Sequence, residues 1–535
     1  MTDHHPAAHV DAVVVGAGFA GLYMLHRLTR AGYTVAGFEA GDGVGGTWYW
    51  NRYPGARCDV ESLEYSYGFD EELQREWEWT ERYASQPEIL RYLEHVADRF
   101  DLRRHIEFTT RVEAATFDET ANRWVVRTDK GHLVSAQFLI MATGCLSSAN
   151  LPALPGLDQF GGDVFHTGQW PHDPVDFNGK RVGVIGTGSS GIQAIPVIAQ
   201  QAEQVVVFQR TPSYSVPAHN APLDPEEQRR VKSDYGGLRA ANRLMMTGFG
   251  SRMPAPQLSA LAVDEQERAQ EFEARWQRGG LFFLAAFADL PLDAKANETA
   301  AEFVRAKIRQ IVDDPETAEL LSPSQVIGCK RLCIDTGYFA TFNRPNVRLV
   351  DIRSRPIEKI TQTGVVVGGE SFELDCLVFA TGFDAMTGSL LAIDIRGRDG
   401  IALGDAWAAG PRTYLGLGVP GFPNLFTITG PGSPSVLTNM VVSIEQHVEW
   451  ISDCIDYLYA AGHDTIEASP EAADNWVAYV NSVADLTLFP TCNSWYLGAN
   501  VPGKPRVFMP LPGFPPYAAQ CASVAASDYQ GFILA

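Results

Sequence analysis

The chain has 535 residues, 45% of them hydrophobic, with 49 Gly, 32 Pro and 8 Cys. That length holds roughly three to five units of about 100–200 residues and a sizeable core, which excludes a disordered or fibrous chain. Lys and Arg number 42 against 64 Asp and Glu, a formal net charge of −22, which repels phosphate backbones and argues against a nucleic-acid partner.

From the start, Met1–Pro6 lacks the basic n-region of a secretory signal. The longest early apolar stretch, residues 12–25, is broken by Gly16, Gly18 and Gly21 and falls short of the ~20 residues of a membrane span. The eight cysteines stand at irregular spacings, with neither a disulfide framework nor a zinc pattern, and the nearest pair, Cys329 and Cys333, is not a C-x-x-C dithiol. These features predict a reduced, cytoplasmic protein with no membrane partner and no metal, and, with no coiled-coil or amphipathic association segment in the sequence, a monomer is expected.

Two units of one design follow along the chain. The first runs from the apolar Ala12–Val15 into Gly16-Ala-Gly18-Phe-Ala-Gly21, a helix over Leu22–Ala31 and a strand over Tyr33–Phe38 that ends at Glu39. The second runs from Arg181–Ile185 into Gly186-Thr187-Gly188-Ser189-Ser190-Gly191, a helix to about Gln200 and a strand over Gln204–Phe208, followed by Gln209-Arg210-Thr211. In G-x-G-x-x-G the first glycine permits a tight turn, the second lets backbone approach a pyrophosphate, and the third lets helix pack on strand. The pyrophosphate then meets free N–H groups at the helix N-terminus. Strand before and helix after make both copies specific.

The ends of the second strands separate the ligands. Glu39 stands the ~20 residues past the first glycine at which a carboxylate bonds ribose hydroxyls, which suits FAD. The same step from Gly186 lands on Gln209, where no carboxylate repels a 2′-phosphate and Arg210 can pair with one, which suits NADPH. Two apolar strands stopping at Ala142-Thr-Gly144 and Ala380-Thr-Gly382 can cross between the units. Charged stretches with apolar stripes at Asp224–Arg230, Glu265–Gln277 and Ala300–Val312 predict helices. The expected fold class is α/β: two Rossmann-like dinucleotide-binding domains, for FAD and NADP, with a helical insertion. The expected boundaries are 1–150 and 385–535 for the FAD domain, 151–216 and 326–384 for the NADP domain, and 217–325 for the insertion.

Gly45-Gly-Thr47-Trp48-Tyr-Trp-Asn-Arg-Tyr53-Pro-Gly55-Ala-Arg57-Cys-Asp59 follows the first unit, and Phe160-Gly-Gly162-Asp-Val-Phe-His166-Thr-Gly-Gln-Trp170-Pro171 precedes the second. Together with Cys329-Lys330-Arg331, residues 430–437 and residues 494–506, these segments resemble the signatures of Baeyer–Villiger monooxygenases, including F-x-G-x-x-x-H-x-x-x-W-P. The resemblance spans about Asp11 to Phe532. It implies an enzyme that binds FAD, reduces it with NADPH and forms a C4a-peroxyflavin with O2, whose deprotonated form inserts one oxygen into a ketone to give an ester or lactone.

The resemblance also implies residue roles. Arg331 matches the active-site arginine and Asp59 the carboxylate that holds it. Lys330, Arg210 and Thr211 would grip the 2′-phosphate, and Trp495 would contact the nicotinamide-side ribose. Thr47, Trp48, Arg57, Tyr65, Val112, Gln193 and Met440 join the glycines, Thr187, Ser189, Ser190 and Glu39 as cofactor-binding candidates. Val60, Cys145, Val436, Leu437 and Met440 would line the ketone pocket, and His166 is a positional or gating residue in the linker. Cys145 departs from the pattern, since near relatives carry an amide there. Three alternatives share the fold: a flavin N- or S-oxygenase, expected to lack Trp170-Pro171 and the Arg331 pattern; a disulfide reductase, which needs a redox cysteine pair; and a non-enzymatic NADP sensor, which leaves Arg331 idle.

Overall fold

The computed structural model describes residues 8–253, 256, 258–508, 511 and 513–535. The two glycine-turn units each form a parallel sheet. In the first, the strand order is Ile106–Glu107, Val35–Phe38, Ala8–Val15, Leu133–Met141 and Phe422–Thr427, all parallel. In the second, a 5-stranded sheet, the order is Val347–Asp351, Gln204–Gln209, Arg181–Ile185, Cys376–Phe379 and Asp163–His166, again all parallel. Both faces of such sheets are covered, so their strands read as unbroken apolar runs. Val13 and Val14 are fully buried, as are Cys376 to Phe379.

Each unit also carries an antiparallel meander. In the first it is Val112–Asp118, Arg123–Thr128 and the start of Leu133–Met141. In the second it is Ile357–Thr361, Gly364–Val367 and Glu370–Glu373. Leu133–Met141 therefore serves twice: Ala136 faces Trp124 in the meander, and Leu139 faces Leu425 in the parallel sheet.

Helices fill the stretch between the second unit's strands, at Pro225–Ser233, Tyr235–Arg243, Glu265–Arg278, Ala294–Ile311 and Pro315–Leu321. Asp224, Asp234, Asp264, Asp293 and Asp314 cap them in turn, each carboxylate accepting a first-turn N–H. The helices after the glycine turns, Phe19–Arg30 and Ser189–Gln201, differ: Gly18 and Gly188 occupy their N-cap positions and offer no side-chain acceptor.

The chain crosses between the units at the two Ala-Thr-Gly segments, and the crossings run side by side. Ala149 bridges Phe383 antiparallel, Asn150 N donates to Gly382 O at 2.9 Å, and Asp384 N donates to Ser148 O at 2.8 Å. Among the described residues no helix is long and apolar enough to cross a membrane.

One expectation is corrected. The cysteines are not all reduced: Cys329 and Cys492 form a disulfide across a sequence separation of 163, too distant for any spacing signal. The other six are buried free thiols.

Candidate functional site

The two glycine turns are built alike. A Cβ at Gly21 would stand 1.8 Å from Gly16 O, and one at Gly191 would stand 2.3 Å from Gly186 O. Helix and strand thus meet backbone to backbone in both units. Gly16 and Gly186, at φ +106° and +111°, also pack against the carbonyls of Ala142 and Ala380. The Gly45-Gly46 turn closes over the first cradle, with Gly46 Cα 3.3 Å from where a Gly18 Cβ would be. Around Gly188 nothing lies within 4 Å of a Cβ. Open space before an uncapped helix end, with its free N–H groups, fits a pyrophosphate.

Glu39 is 6% exposed, and its two carboxylate oxygens accept from Ala17 N and Gly41 N, each at 2.8 Å. Each oxygen keeps a second lone pair, so the group can still accept from ribose hydroxyls. Val112 shares a buried core with Phe38, the last residue of the strand before Glu39. Thr47 and Trp48 begin the short helix Thr47–Trp50, and Trp48 Nε1 donates to Tyr65 Oη at 3.2 Å.

In the second unit, Thr187 Oγ1 donates to Thr211 O at 3.1 Å, fixing the strand end that carries Arg210. Burial lowers the Lys330 pKa, and the charges of Arg210 and Arg353 lower it further. Three cations therefore converge where the sequence places the 2′-phosphate grip. Arg353, beyond Val347–Asp351, is a member that motif reading missed. Its signal is topological, because that strand lies parallel beside Gln204–Gln209.

Arg331 and Asp59 meet as expected. Nε and Nη2 of Arg331 donate to the two Asp59 oxygens at 2.9 and 2.8 Å, and Nη1 donates to Val436 O at 2.6 Å. Burial opposes the Arg331 charge, yet the Asp59 carboxylate outweighs it and raises the pKa, so the guanidinium is a fixed cation. Of its five N–H donors, those bonds use three and leave two. Asp59 begins no helix, since residues 59 and 60 lie in a bend.

Two tyrosines flank the pair. Tyr496 is 2% exposed and its hydroxyl is pushed up to about 12, by burial first, with Arg331 pulling the other way. Burial likewise raises Tyr53 to about 12, and its hydroxyl donates to Gln193 Oε1 at 2.8 Å. Sequence reading passed over both, although each lies inside a quoted motif.

Gln193 is committed to protein contacts. It accepts from Tyr53 Oη and from Arg57 N, and its Nε2 donates to Arg57 O at 3.1 Å. Arg57 itself turns to Glu81 Oε2 and Tyr83 O, at 2.8 and 2.9 Å. Both residues join the two units, and neither directs its side chain at a glycine turn. Ser189 Oγ lies 3.3 Å from Cys333 Sγ, and the Ser190 hydroxyl faces Tyr53.

Val60, Cys145 and Val436 are buried, with Leu437 and Met440 packed partly buried against the same core. The Ser435 hydroxyl faces the Cys145 thiol, whose pKa burial raises. Trp495 opens the turn Trp495–Leu497 and packs on Tyr496, with ring centroids 4.3 Å apart. His166 Nδ1 accepts from Gly168 N at 3.0 Å, and Nε2 lies 3.3 Å from Thr381 Oγ1. Burial lowers its pKa, so the ring is neutral and holds the crossing in place.

Residues 9–221 match the flavin-binding monooxygenase-like family. A Baeyer–Villiger monooxygenase of Pseudooceanicola batsensis is 43% identical over 98% of this chain and 96% of its own. The phenazine N-monooxygenase PhzNO1 of Lysobacter antibioticus is 42% identical over 98% of this chain and 97% of its own. Among solved structures, an oxidised steroid monooxygenase bound to NADP is 56% identical, with a TM-score of 0.93 over 98% of this chain and 99% of that one. The OTEMO complex with FAD and NADP is 42% identical, with a TM-score of 0.95 over 99% of this chain and 100% of that one. The glycine cradles, the clamped arginine and full-length identity to these enzymes lead to one assignment: the chain belongs to the Baeyer–Villiger monooxygenases, which use FAD and NADP.

Proposed function

We propose that this enzyme inserts one atom of O2 into an apolar ketone, giving an ester or lactone, with NADPH as the reductant. The observation that carries the reading is Arg331, held bidentate by Asp59 with two N–H donors unspent. Residues 1–150 and 385–535 would hold FAD, with Gly16, Gly18, Gly21 and Glu39 as the cradle. Residues 151–216 and 326–384 would hold NADP, with Gly186, Gly188, Gly191, Arg210, Thr211 and Lys330 as the grip. Bound FAD would carry the electrons from NADPH to O2 and so activate it, one of its atoms entering the ketone and the other leaving as water.

This chain's residues supply charge, position and dryness. Arg331 cannot give up its proton, so it stabilises anionic oxygen throughout the reaction without acting as an acid. Asp59 keeps the guanidinium plane fixed, which spares reorganisation as charge develops. Val60, Cys145, Val436, Leu437 and Met440 would form an apolar wall that excludes water and accepts a ketone by shape. His166, neutral and doubly bonded, acts through the crossing and transfers no proton. Activity as a cytoplasmic monomer completes the proposal.

The test is product analysis of the purified yellow enzyme with NADPH, O2 and phenylacetone or cyclohexanone. Ester or lactone formed in proportion to NADPH consumed supports the reading, and NADPH consumption without oxygenated ketone overturns it. A second reading, oxygen transfer to nitrogen or sulfur, is favoured by the 42% identity to a phenazine N-monooxygenase. Amine and sulfide substrates in the same assay separate the two readings.

A further inference from the structure

The Cys329–Cys492 bond joins two segments that border Arg331. Cys329 directly precedes Lys330-Arg331, and Cys492 lies just before the Trp495–Leu497 turn that sets Tyr496 beside the guanidinium. Beyond that turn the chain is pinned to the crossing between the units. Asn500 Nδ2 donates to Phe383 O at 2.6 Å, and Lys504 Nζ donates to Asp384 Oδ1 and Ala385 O at 2.5 and 2.6 Å. The disulfide is therefore the covalent end of a strap over the site, and hydrogen bonds form its other end.

The two sulfurs are not equally reachable. Cys329 is 1% exposed. Cys492 is partly exposed and lines a cavity of about 370 Å³ together with Asn481, Asp485, Asn493, Arg506 and Phe508. That volume lies in the range of small-ligand pockets. Arg506 and Asp485 give the wall both signs of charge, which suits a small thiol bearing carboxylate and ammonium groups.

We propose that Cys492 is a thiol-modification site and that the disulfide is a redox latch on the Trp495–Tyr496 turn, opened by a low-molecular-weight thiol from this cavity. The thiolate attacks Cys492 Sγ. As the new S–S bond forms, the Cys329–Cys492 bond breaks, and its electron pair leaves on Cys329 Sγ, which takes up a proton. A second thiolate then attacks the small-molecule sulfur of the mixed disulfide and releases Cys492. Two small thiols are oxidised to one disulfide, and the protein disulfide is reduced to two thiols. Once the bond opens, the strap keeps only its hydrogen bonds, so the docked population falls without vanishing.

Because the resemblance puts Trp495 of this turn against the nicotinamide-side ribose, an open latch should also loosen NADP+; that coupling rests on the functional reading above, and the chemistry of the latch does not. Under denaturing conditions without reductant, the protein should show six free thiols, and eight after dithiothreitol. Hydrogen exchange in peptides covering residues 489–508 should quicken in the reduced enzyme and in Cys492→Ser. If the docked fraction falls to about a third, the NADP+ dissociation constant of the FAD-loaded enzyme should rise about threefold. Glutathione should leave its mixed disulfide on Cys492 and none on Cys329.

Eight thiols before reduction, or unchanged exchange after it, overturns the latch. Glutathione on Cys329 overturns the direction of attack. Quicker exchange with an unchanged NADP+ constant overturns the coupling to the nucleotide, whereas no NADP+ binding in either redox state would instead sink the functional reading. If Cys492→Ser does not fold, reduction of the wild-type enzyme decides alone.

Discussion

Arg331 divides its donors between structure and chemistry. Three bonds fix it to Asp59 and to the Val436 carbonyl, and the remainder can face an anionic oxygen. Arg331→Ala should therefore keep its FAD and still be reduced by NADPH, while ester formation drops by about 10²–10³-fold, the usual cost of an oxyanion donor. Ester yield close to wild type would remove Arg331 from the chemistry.

The Lys330 cluster makes a prediction about pH. Burial, Arg210 and Arg353 lower the Lys330 pKa, so the free enzyme loses this charge at lower pH than an ordinary lysine would. A bound 2′-phosphate favours the charged form, so at alkaline pH NADP binding should take up protons, and affinity should fall as pH rises through the lowered pKa. Calorimetry in buffers of different ionisation enthalpy measures that uptake. The Arg210→Ala variant should bring affinity for NADPH towards that for NADH, and an unchanged preference would count against the grip. Arg331, Asp59, Lys330 and Arg210 were legible because each sits in a short motif. Tyr53 and Tyr496 lie in quoted motifs too, but only the fold brings them beside Arg331 and Asp59, and Arg353 lies in no motif at all.

At the scale of elements, the glycine turns separate folding from binding. A methyl group at Gly188 meets nothing within 4 Å, whereas one at Gly191 meets Gly186 O at 2.3 Å. Gly188→Ala should melt like the wild type but lose NADPH-driven reduction, since the methyl fills the space a pyrophosphate needs. Gly191→Ala should lower stability by about 1–3 kcal/mol through overpacking. Thermal melts with reduction rates distinguish the two, and equal melting temperatures would contradict the packing argument. The strand–turn–helix units and the helices capped by Asp224, Asp264 and Asp293 were readable from local chemistry, whereas Tyr235–Arg243 and Pro315–Leu321 went unread. The Cys329–Cys492 bond was not, because nothing local relates residues so far apart.

At the scale of the molecule, the two units meet where residues 53–57 pack on the helix Ser189–Gln201. Gly55, at φ +81°, leaves no room there: a Cβ would lie 2.4 Å from Gln193 O. Gly55→Ala should push the units apart, slow flavin reduction by NADPH and lower the melting temperature by a few degrees, in line with about 1–3 kcal/mol of overpacking strain. Rapid-mixing absorbance at the flavin band reads the first effect, and a wild-type rate would mean that this contact does not set the distance between the units. The repeated design was visible in the sequence as two glycine turns. The pairing of the crossings at Ala149 and Phe383 was visible only as two strands stopping at Ala-Thr-Gly.

The double pairing of Leu133–Met141 also governs how the protein is made. Its parallel neighbour, Phe422–Thr427, lies about 280 residues downstream, and the helix Met440–Ala461 that covers Phe19–Arg30 comes later still. At roughly 5–20 residues per second, a ribosome leaves the apolar edge at Leu139–Met141 unpaired for about 15–60 s. Until the last fifth or so of the chain emerges, the first-made sheet should therefore depend on chaperones that shield unpaired strands, and a truncation before Phe422 should yield aggregate rather than a smaller flavoprotein.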